Sequence, residues 1–451
     1  MPHEKFHYKS LEEVKQRAAE LGVDLPFAAD THALAQPLTV RNITFPNRLG
    51  IAPMEGADST PEGAPTEYTT RRYVNEAIGG SSVIWFEAIS IVEEGRSSKT
   101  QLLLNRDTLD EFKKMTTAVK EAGLKANGYA PYLIMQANHS GRYSNPGNKP
   151  APMIAYRHPI LEQYRAADDS CIVSDDYLKG LEVKFGEATR LAKEAGFDAV
   201  DIKSCHGYLL AELASAYNRP GEYGGSFENR FRLLKNGIRA AKVYEDDSFM
   251  VTARVGIYDG YAYPWGFGVS PESGMTPDLT EPIRLVRDLH NELGLNMANL
   301  TMGNPYATTH VTRPFDFGKY EPDEHPFVGL ARMIHGIGEV KKAVPEMTVW
   351  ASAPSYLRAY ADLFTAGAVE QGLCDGMLFG RMAFADPDFA NEIVKNGRID
   401  PKRVCLTCGK CGDLIRAHKP TGCVIRDSKT FMPFYKEFLE IKKTQPANFR
   451  G

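Results

Sequence analysis

Between Ala195 and Arg230 the sequence reads AGFDAVDIKSCHGYLLAELASAYNRPGEYGGSFENR. An apolar run leads into Lys203, His206 and Tyr208, so an ammonium, an imidazole and a phenol gather where a buried strand should end. A lysine at such a place is costly in its charged form, and desolvation lowers its pKa unless an anion faces it. Lys203 therefore implies an anionic or carbonyl-bearing ligand. The competing reading, of equal weight from spacing alone, is a lysine whose stem packs while its tip reaches water, with His206 a satisfied core histidine.

A second group is Cys405, Cys408, Cys411 and Cys423, spaced C-x2-C-x2-C-x11-C. Four thiolates from a compact turn and a return segment suit a [4Fe-4S] cluster or a tetrahedral structural zinc, and the ligand set alone does not separate the two. Seven cysteines in 451 residues do not make a disulfide scaffold, and four of them crowded together in a reducing compartment point to metal.

Eight short apolar runs would have to position these groups: 49–54, 82–88, 131–137, 199–205, 250–256, 297–303, 348–353 and 376–382. Near-continuous apolar character without alternation suits parallel strands buried on both faces. Helical patterns lie between several of them, for example DEFKKMTTAVKEAG and FGEATRLAKEAG, each taken to end at its glycine. Eight such units predict an α/β fold, a closed (β/α)8 TIM barrel; no GxGxxG follows any run, which argues against a Rossmann domain. Reactive groups in such barrels come from strand ends. The polar residues there are Gln136, Lys203, His206 and Arg254, with Gly380 and Arg381 in the eighth run.

A barrel needs about 250 residues, so generous attachments are expected. Residues 1–35 read as an N-terminal helical extension, 36–400 as the barrel, and 401–451 as a cysteine-rich segment and tail. The stretches 139–176 and 256–280 should overlie the mouth. Net charge is −4 with no long basic run, which argues against a nucleic-acid partner. The absence of a long apolar segment or secretory signal predicts a cytoplasmic protein without a membrane partner.

Along nearly the whole barrel the sequence resembles the Old Yellow Enzyme family of FMN oxidoreductases. The resemblance runs through LTVRNITFPNRLGIAPM, IWFEAIS, MQANHSGR, YGGSFENR and FGRMAFADPDF. It implies that Pro53, Met54 and Ala88 lie against the isoalloxazine and that Gln136 bonds the pyrimidine edge. Arg254 would lie near N1 and O2, and Ala353, Gly380 and Arg381 would hold the phosphate. Tyr208 matches the family's proton donor, while Lys203 and His206 occupy the positions that grip the activating carbonyl oxygen. The implied reaction is reduction of an activated C=C bond in an unsaturated carbonyl, enoate or enoyl thioester.

Two residues depart from the family pattern: Lys203 replaces a usual histidine, and Glu55 stands where threonine or cysteine is common. The first suggests a more anionic acceptor. The second would be expected to lower the flavin potential, leaving the electron donor open. Placed after such a barrel, the four cysteines resemble the [4Fe-4S] segment of the trimethylamine dehydrogenase and 2,4-dienoyl-CoA reductase branch, with zinc as the alternative. The FMN should be non-covalent, since no cysteine precedes Cys171. The chain ends 28 residues after Cys423, short of the branch's nucleotide domains, so NAD(P)H acting directly or a redox protein is expected to supply electrons. Amine dehydrogenation and a non-catalytic electron-transfer role are the competing functions. A homo-oligomer is compatible with the sequence, which names neither the oligomeric state nor the substrate.

Overall fold

The computed structural model describes residues 3–317 and 320–444. Eight parallel strands close into a barrel: β1 Leu49–Ile51, β2 Val83–Ser90, β3 Tyr132–Asn138, β4 Ala199–Ile202, β5 Met250–Gly256, β6 Met297–Thr301, β7 Thr348–Ser352 and β8 Gly376–Phe379. Each pairs with the next in sequence, and β8 returns to β1 through Met377 opposite Leu49. All eight residues of β2 are buried, as expected where helices cover one face and barrel packing fills the other. The predicted fold class therefore holds.

The runs overshoot several strands at their C-terminal ends. β4 stops at Ile202 and β8 at Phe379, so Lys203 lies just past its strand and Arg381 opens the helix Arg381–Ala385 rather than lying in a strand. Apolar composition continues past the ladder because the loop residues are also buried. A register shift in β2 between Trp85 and Ala88 sets Ala88 opposite Gln136 of β3, re-aiming the strand end beneath the mouth.

The helix Leu109–Asn127 passes through Gly123, where it was expected to end, and stops at Gly128 with φ 80°. Gly123 serves a close approach instead: a Cβ there would come within 2.5 Å of Pro131 Cδ. Helix Asp175–Glu194 is capped by Ser174, whose side chain accepts from the Tyr177 amide. In the N-terminal extension, helix Leu11–Glu20 is capped by Ser10, and the Phe6 amide donates to Asp316 at 3.1 Å. Among the described residues no helix is long and apolar enough to cross a membrane.

An antiparallel hairpin, Leu38–Val40 with Ile43–Phe45, covers the N-terminal end of the barrel. Its Leu38, Val40 and Phe45 pack with Trp85, Ile134, Met297 and Trp350 in one buried cluster. Phe45 meets Trp350 edge-on at 5.9 Å and Tyr132 at 5.3 Å. At the opposite end the long segments after β3 and β5 form loops, as expected. A third loop, following β6 over residues 302–317, was not anticipated.

Candidate active site at the barrel mouth

The turn after β4 carries the three residues singled out first. His206 and Gly207 both take left-handed conformations, with φ of 68° and 69°, and this tight reversal delivers Tyr208 to the N-terminus of helix Leu209–Ala214. A Cβ on Gly207 would stand 2.0 Å from the Asn304 amide nitrogen. Gly207→Ala is expected to cost about 1–3 kcal/mol through the combined strain, with thermal unfolding as the measurement.

Lys203 is 6% exposed, so its tip does not reach into water. Its ammonium lies 3.8 Å from the centre of the Tyr208 ring, over the face. Burial lowers its pKa to about 8, against the opposing pull of Cys205 and Glu55. Burial also lowers the imidazole of His206, helped by the positive charges of Arg254, Lys203 and Arg313, and its Nε2 has no hydrogen-bond partner. Tyr208, 5% exposed, has its phenol raised by burial and then by its neighbours Tyr306 and Glu55.

Asp201, read only as part of an apolar run, organises the floor of the site. Its Oδ2 accepts from the Trp85 indole and from Gln136 Nε2, both at 2.7 Å, and its Oδ1 accepts from the Arg254 amide. Burial raises its carboxyl to about 6. Gln136 is thereby fixed in one orientation. The only warning in the sequence was a carboxylate inside otherwise apolar residues, which is costly without partners.

Arg254 is buried, its Nε has no partner, and burial lowers its pKa. Ala88 packs with Tyr143 and Tyr208. Pro53 and Met54 follow β1, and a Cβ on Gly380 would lie 2.6 Å from Met54 Sδ, so the loops after β1 and β8 touch. Ala353 takes φ 76°, and the Met382 amide donates to Ser355 Oγ at 3.2 Å, joining the loops after β7 and β8. Arg381, 6% exposed, donates to the Pro314 carbonyl at 2.8 Å. Arg313, from the unanticipated loop, stands close enough for its guanidinium to be lowered to about 10 by burial and by Arg381; its Nε is also without a partner.

The expected positions around a flavin are thus brought to one mouth. Orphaned donors on Arg254 and Arg313 and the imidazole nitrogen of His206, with Arg381 held by one carbonyl, fit a polar, anionic group lying there. Glu55 faces the same space. Its carboxyl accepts from Ser97 Oγ at 2.5 Å and is raised by burial, while Ser97 and Lys203 oppose the shift.

Tyr306, also from the loop after β6, was missed by sequence reasoning. Its hydroxyl is 2.7 Å from that of Tyr208, and its ring stacks on Tyr143 at 3.8 Å with an interplanar angle of 17°. Behind these rings, Arg142 and Glu212 form a fully buried ion pair at 2.6 Å, with a second bond at 3.2 Å and a further bond from Arg142 to the Tyr156 carbonyl.

Cys405, Cys408, Cys411 and Cys423 line one cavity beside Arg381 and Phe384. Among the described residues, however, no three of His, Cys, Asp and Glu are close enough to hold a metal ion. The expectation of a formed metal centre is not met in this structure. Local bonding accounts for part of the arrangement: Cys405 Sγ accepts from the Thr407 amide and Cys423 Sγ from the Arg426 amide, each at 3.3 Å.

A closed barrel with orphaned cationic donors and a buried phenol at its mouth defines a barrel protein built for an anionic cofactor. The chain belongs to the NADH:flavin oxidoreductase / NADH oxidase family, whose profile matches residues 33–266. The resemblance to the Old Yellow Enzyme family is thereby borne out. The NADPH dehydrogenase of Bacillus velezensis is 33% identical over 223 residues, covering 48% of this chain and 62% of that protein. The chain therefore spans less than two thirds of this curated relative's length.

Two solved structures share the fold. A 2-naphthoyl-CoA reductase complex with 2-naphthoyl-CoA has a TM-score of 0.72 at 19% identity, over 90% of this chain and 58% of that one. The old yellow enzyme homologue from Zymomonas mobilis has a TM-score of 0.61 at 21% identity, over 81% of this chain and 94% of that one.

Proposed function

We propose that this chain reduces a C=C bond conjugated to a carbonyl or carboxyl group, using non-covalent FMN and NAD(P)H as the electron source. The observation that carries the reading is Tyr208, a buried phenol at the mouth with the Lys203 ammonium on its ring face and the unpartnered His206 nitrogen on the same turn. Bound FMN supplies the hydride carrier. Gln136 and Arg254 would hold its ring, Arg254 with a fixed positive charge, and Arg381 would hold the phosphate. Pro53, Met54 and Ala88 would contact the ring, and Ala353 and Gly380 would leave room for the phosphate. Lys203 and His206 hold the activating oxygen of the substrate and stabilise the negative charge that develops on it. Tyr208 then gives its proton to the α-carbon.

The test is to reduce the FMN anaerobically, challenge it with an enone, an enoate and an enoyl thioester, and locate deuterium in product made in D2O. At least one acceptor should reoxidise the flavin and carry deuterium at the α-carbon. Reoxidation by a redox protein alone would favour an electron-transfer role, and flavin reduction by amines would favour amine dehydrogenation.

Lys203 adds a pH dependence. Its lowered pKa means the ammonium is present below about pH 8 and lost above it, so kcat/KM for an enoate should fall across that value. Lys203→Met should abolish this limb and raise KM for acidic enoates more than for neutral enones. A KM for acidic enoates left unchanged by the substitution would remove the case for a carboxylate acceptor.

The domain division follows the same reading: extension 1–35, FMN-binding barrel 36–400, and a cysteine segment from 401, of which residues beyond 444 lie outside the described structure. The four cysteines supply the donor types of a [4Fe-4S] cluster, with zinc the alternative, although among the described residues they are not gathered into a metal-holding group. Iron, sulfide and zinc determination after anaerobic purification decides between cluster, zinc and free thiols.

A further inference from the structure

The hydroxyls of Tyr208 and Tyr306 lie 2.7 Å apart. Tyr306 is held by Tyr143 and Asn304, which also hold each other. Its ring stacks on Tyr143, its amide donates to Asn304 Oδ1 at 2.9 Å, and the Asn304 amide nitrogen donates in turn to the Tyr143 hydroxyl at 2.9 Å. Asn304 itself is fully buried. So much fixed geometry for a loop residue has no evident purpose in packing alone, because Tyr306 is 42% exposed.

Tyr208 is 5% exposed, and Lys203 sits over its ring face rather than at its oxygen. Once its proton has gone to substrate, the phenolate needs a donor aligned with that oxygen. We infer that Tyr306 is this donor: a positioning residue that relays a proton from solvent to Tyr208. The inference rests on the reading of Tyr208 as the acid in alkene reduction.

The steps balance without any further reactant. The Tyr208 O–H bond breaks as the α-carbon of the enolate forms a C–H bond with its electron pair. The Tyr306 O–H bond then breaks as the Tyr208 O–H bond re-forms, and water or a buffer acid reprotonates Tyr306. Nothing is oxidised or reduced in these transfers. Burial raises both phenols, so each keeps its proton until a base forms beside it, and the 2.7 Å bond between their oxygens supplies the path.

Tyr306→Phe keeps the ring and its stack while removing the hydroxyl. The FMN-loaded enzyme is turned over repeatedly under anaerobic conditions, with excess dithionite as reductant and whichever of cyclohex-2-enone, cinnamate and crotonyl-CoA is fastest with the unmodified protein as acceptor, so that each cycle includes reprotonation of Tyr208. Steady-state turnover should slow about tenfold, a modest fraction of what a direct acid contributes, with a larger solvent isotope effect. FMN affinity and acceptor KM should stay within about twofold, and Tyr306→His should restore most of the rate because imidazole also carries a proton. A rate within twofold of the unmodified protein, an unchanged isotope effect, or a loss that tracks weakened FMN binding overturns the relay. Tyr208→Phe, run in parallel, separates the two readings. Loss there without loss at Tyr306 removes only the relay, whereas no loss at Tyr208, or no reoxidation by any acceptor, removes the parent reading as well.

Discussion

Tyr208→Phe is expected to lower the rate of alkene-dependent flavin reoxidation by roughly 10²–10⁴-fold while leaving the FMN bound. The change deletes one oxygen. The remaining ring still packs with Ala88 and Tyr143 and still offers its face to Lys203, so the scaffold has little reason to move. Stopped-flow absorbance after anaerobic reduction isolates the affected step, and whatever product forms slowly in D2O should still carry deuterium at the α-carbon, now delivered by solvent and without a fixed face. A variant that keeps full speed would show that another group protonates the substrate. Burial strengthens the expectation in one respect, because a phenol whose proton is held tightly by a dry environment releases it only to a base formed in place, which the enolate is.

Arg142→Met is expected to destabilise the fold by about 3–5 kcal/mol, the largest effect of any single substitution considered, because it leaves Glu212 buried without its counter-charge. Chemical denaturation gives the value. The sign of its pH dependence is also fixed. With Arg142 gone, burial holds the folded-state carboxyl of Glu212 above its unfolded value near 4.3, so the folded form binds the extra proton. The variant should therefore be least unstable at low pH and lose stability as pH rises between those two values. Arg142→Met combined with Glu212→Gln should recover part of the loss at high pH. Because Arg142 adjoins Tyr143 and Glu212 lies in the helix that follows Tyr208, the single variant should also blur the geometry of the mouth.

Which of these features could be read from sequence follows from how each is made. Parallel barrel strands are buried on both faces, so Val83–Ser90 or Met250–Gly256 announce themselves by composition. Strand ends were overextended because burial continues into the mouth, where Lys203 and Arg381 leave the ladder yet stay covered. Gln136, Arg254 and Tyr208 were visible through motif resemblance. Tyr306 and Arg313 were not, because a loop without periodicity gives no hint of which strand end its residues will meet. Asp201 lay in plain view inside a strand, and its role becomes apparent only when Trp85, Gln136 and the Arg254 amide converge on it. The cysteine spacing brings four thiols to one cavity, while the turns between them, such as Thr407 with φ 51°, leave no mark in the spacing.

The hairpin beneath the barrel has a kinetic meaning. With Phe45 wedged against Trp350 and Tyr132, and the lower barrel filled by packed side chains, the described residues close the hairpin end. The mouth is then the side from which a molecule would approach. If the proposed function is right, a nicotinamide donor and an alkene acceptor would share that approach and take turns, each leaving before the other enters, so the protein would work as a two-stroke machine.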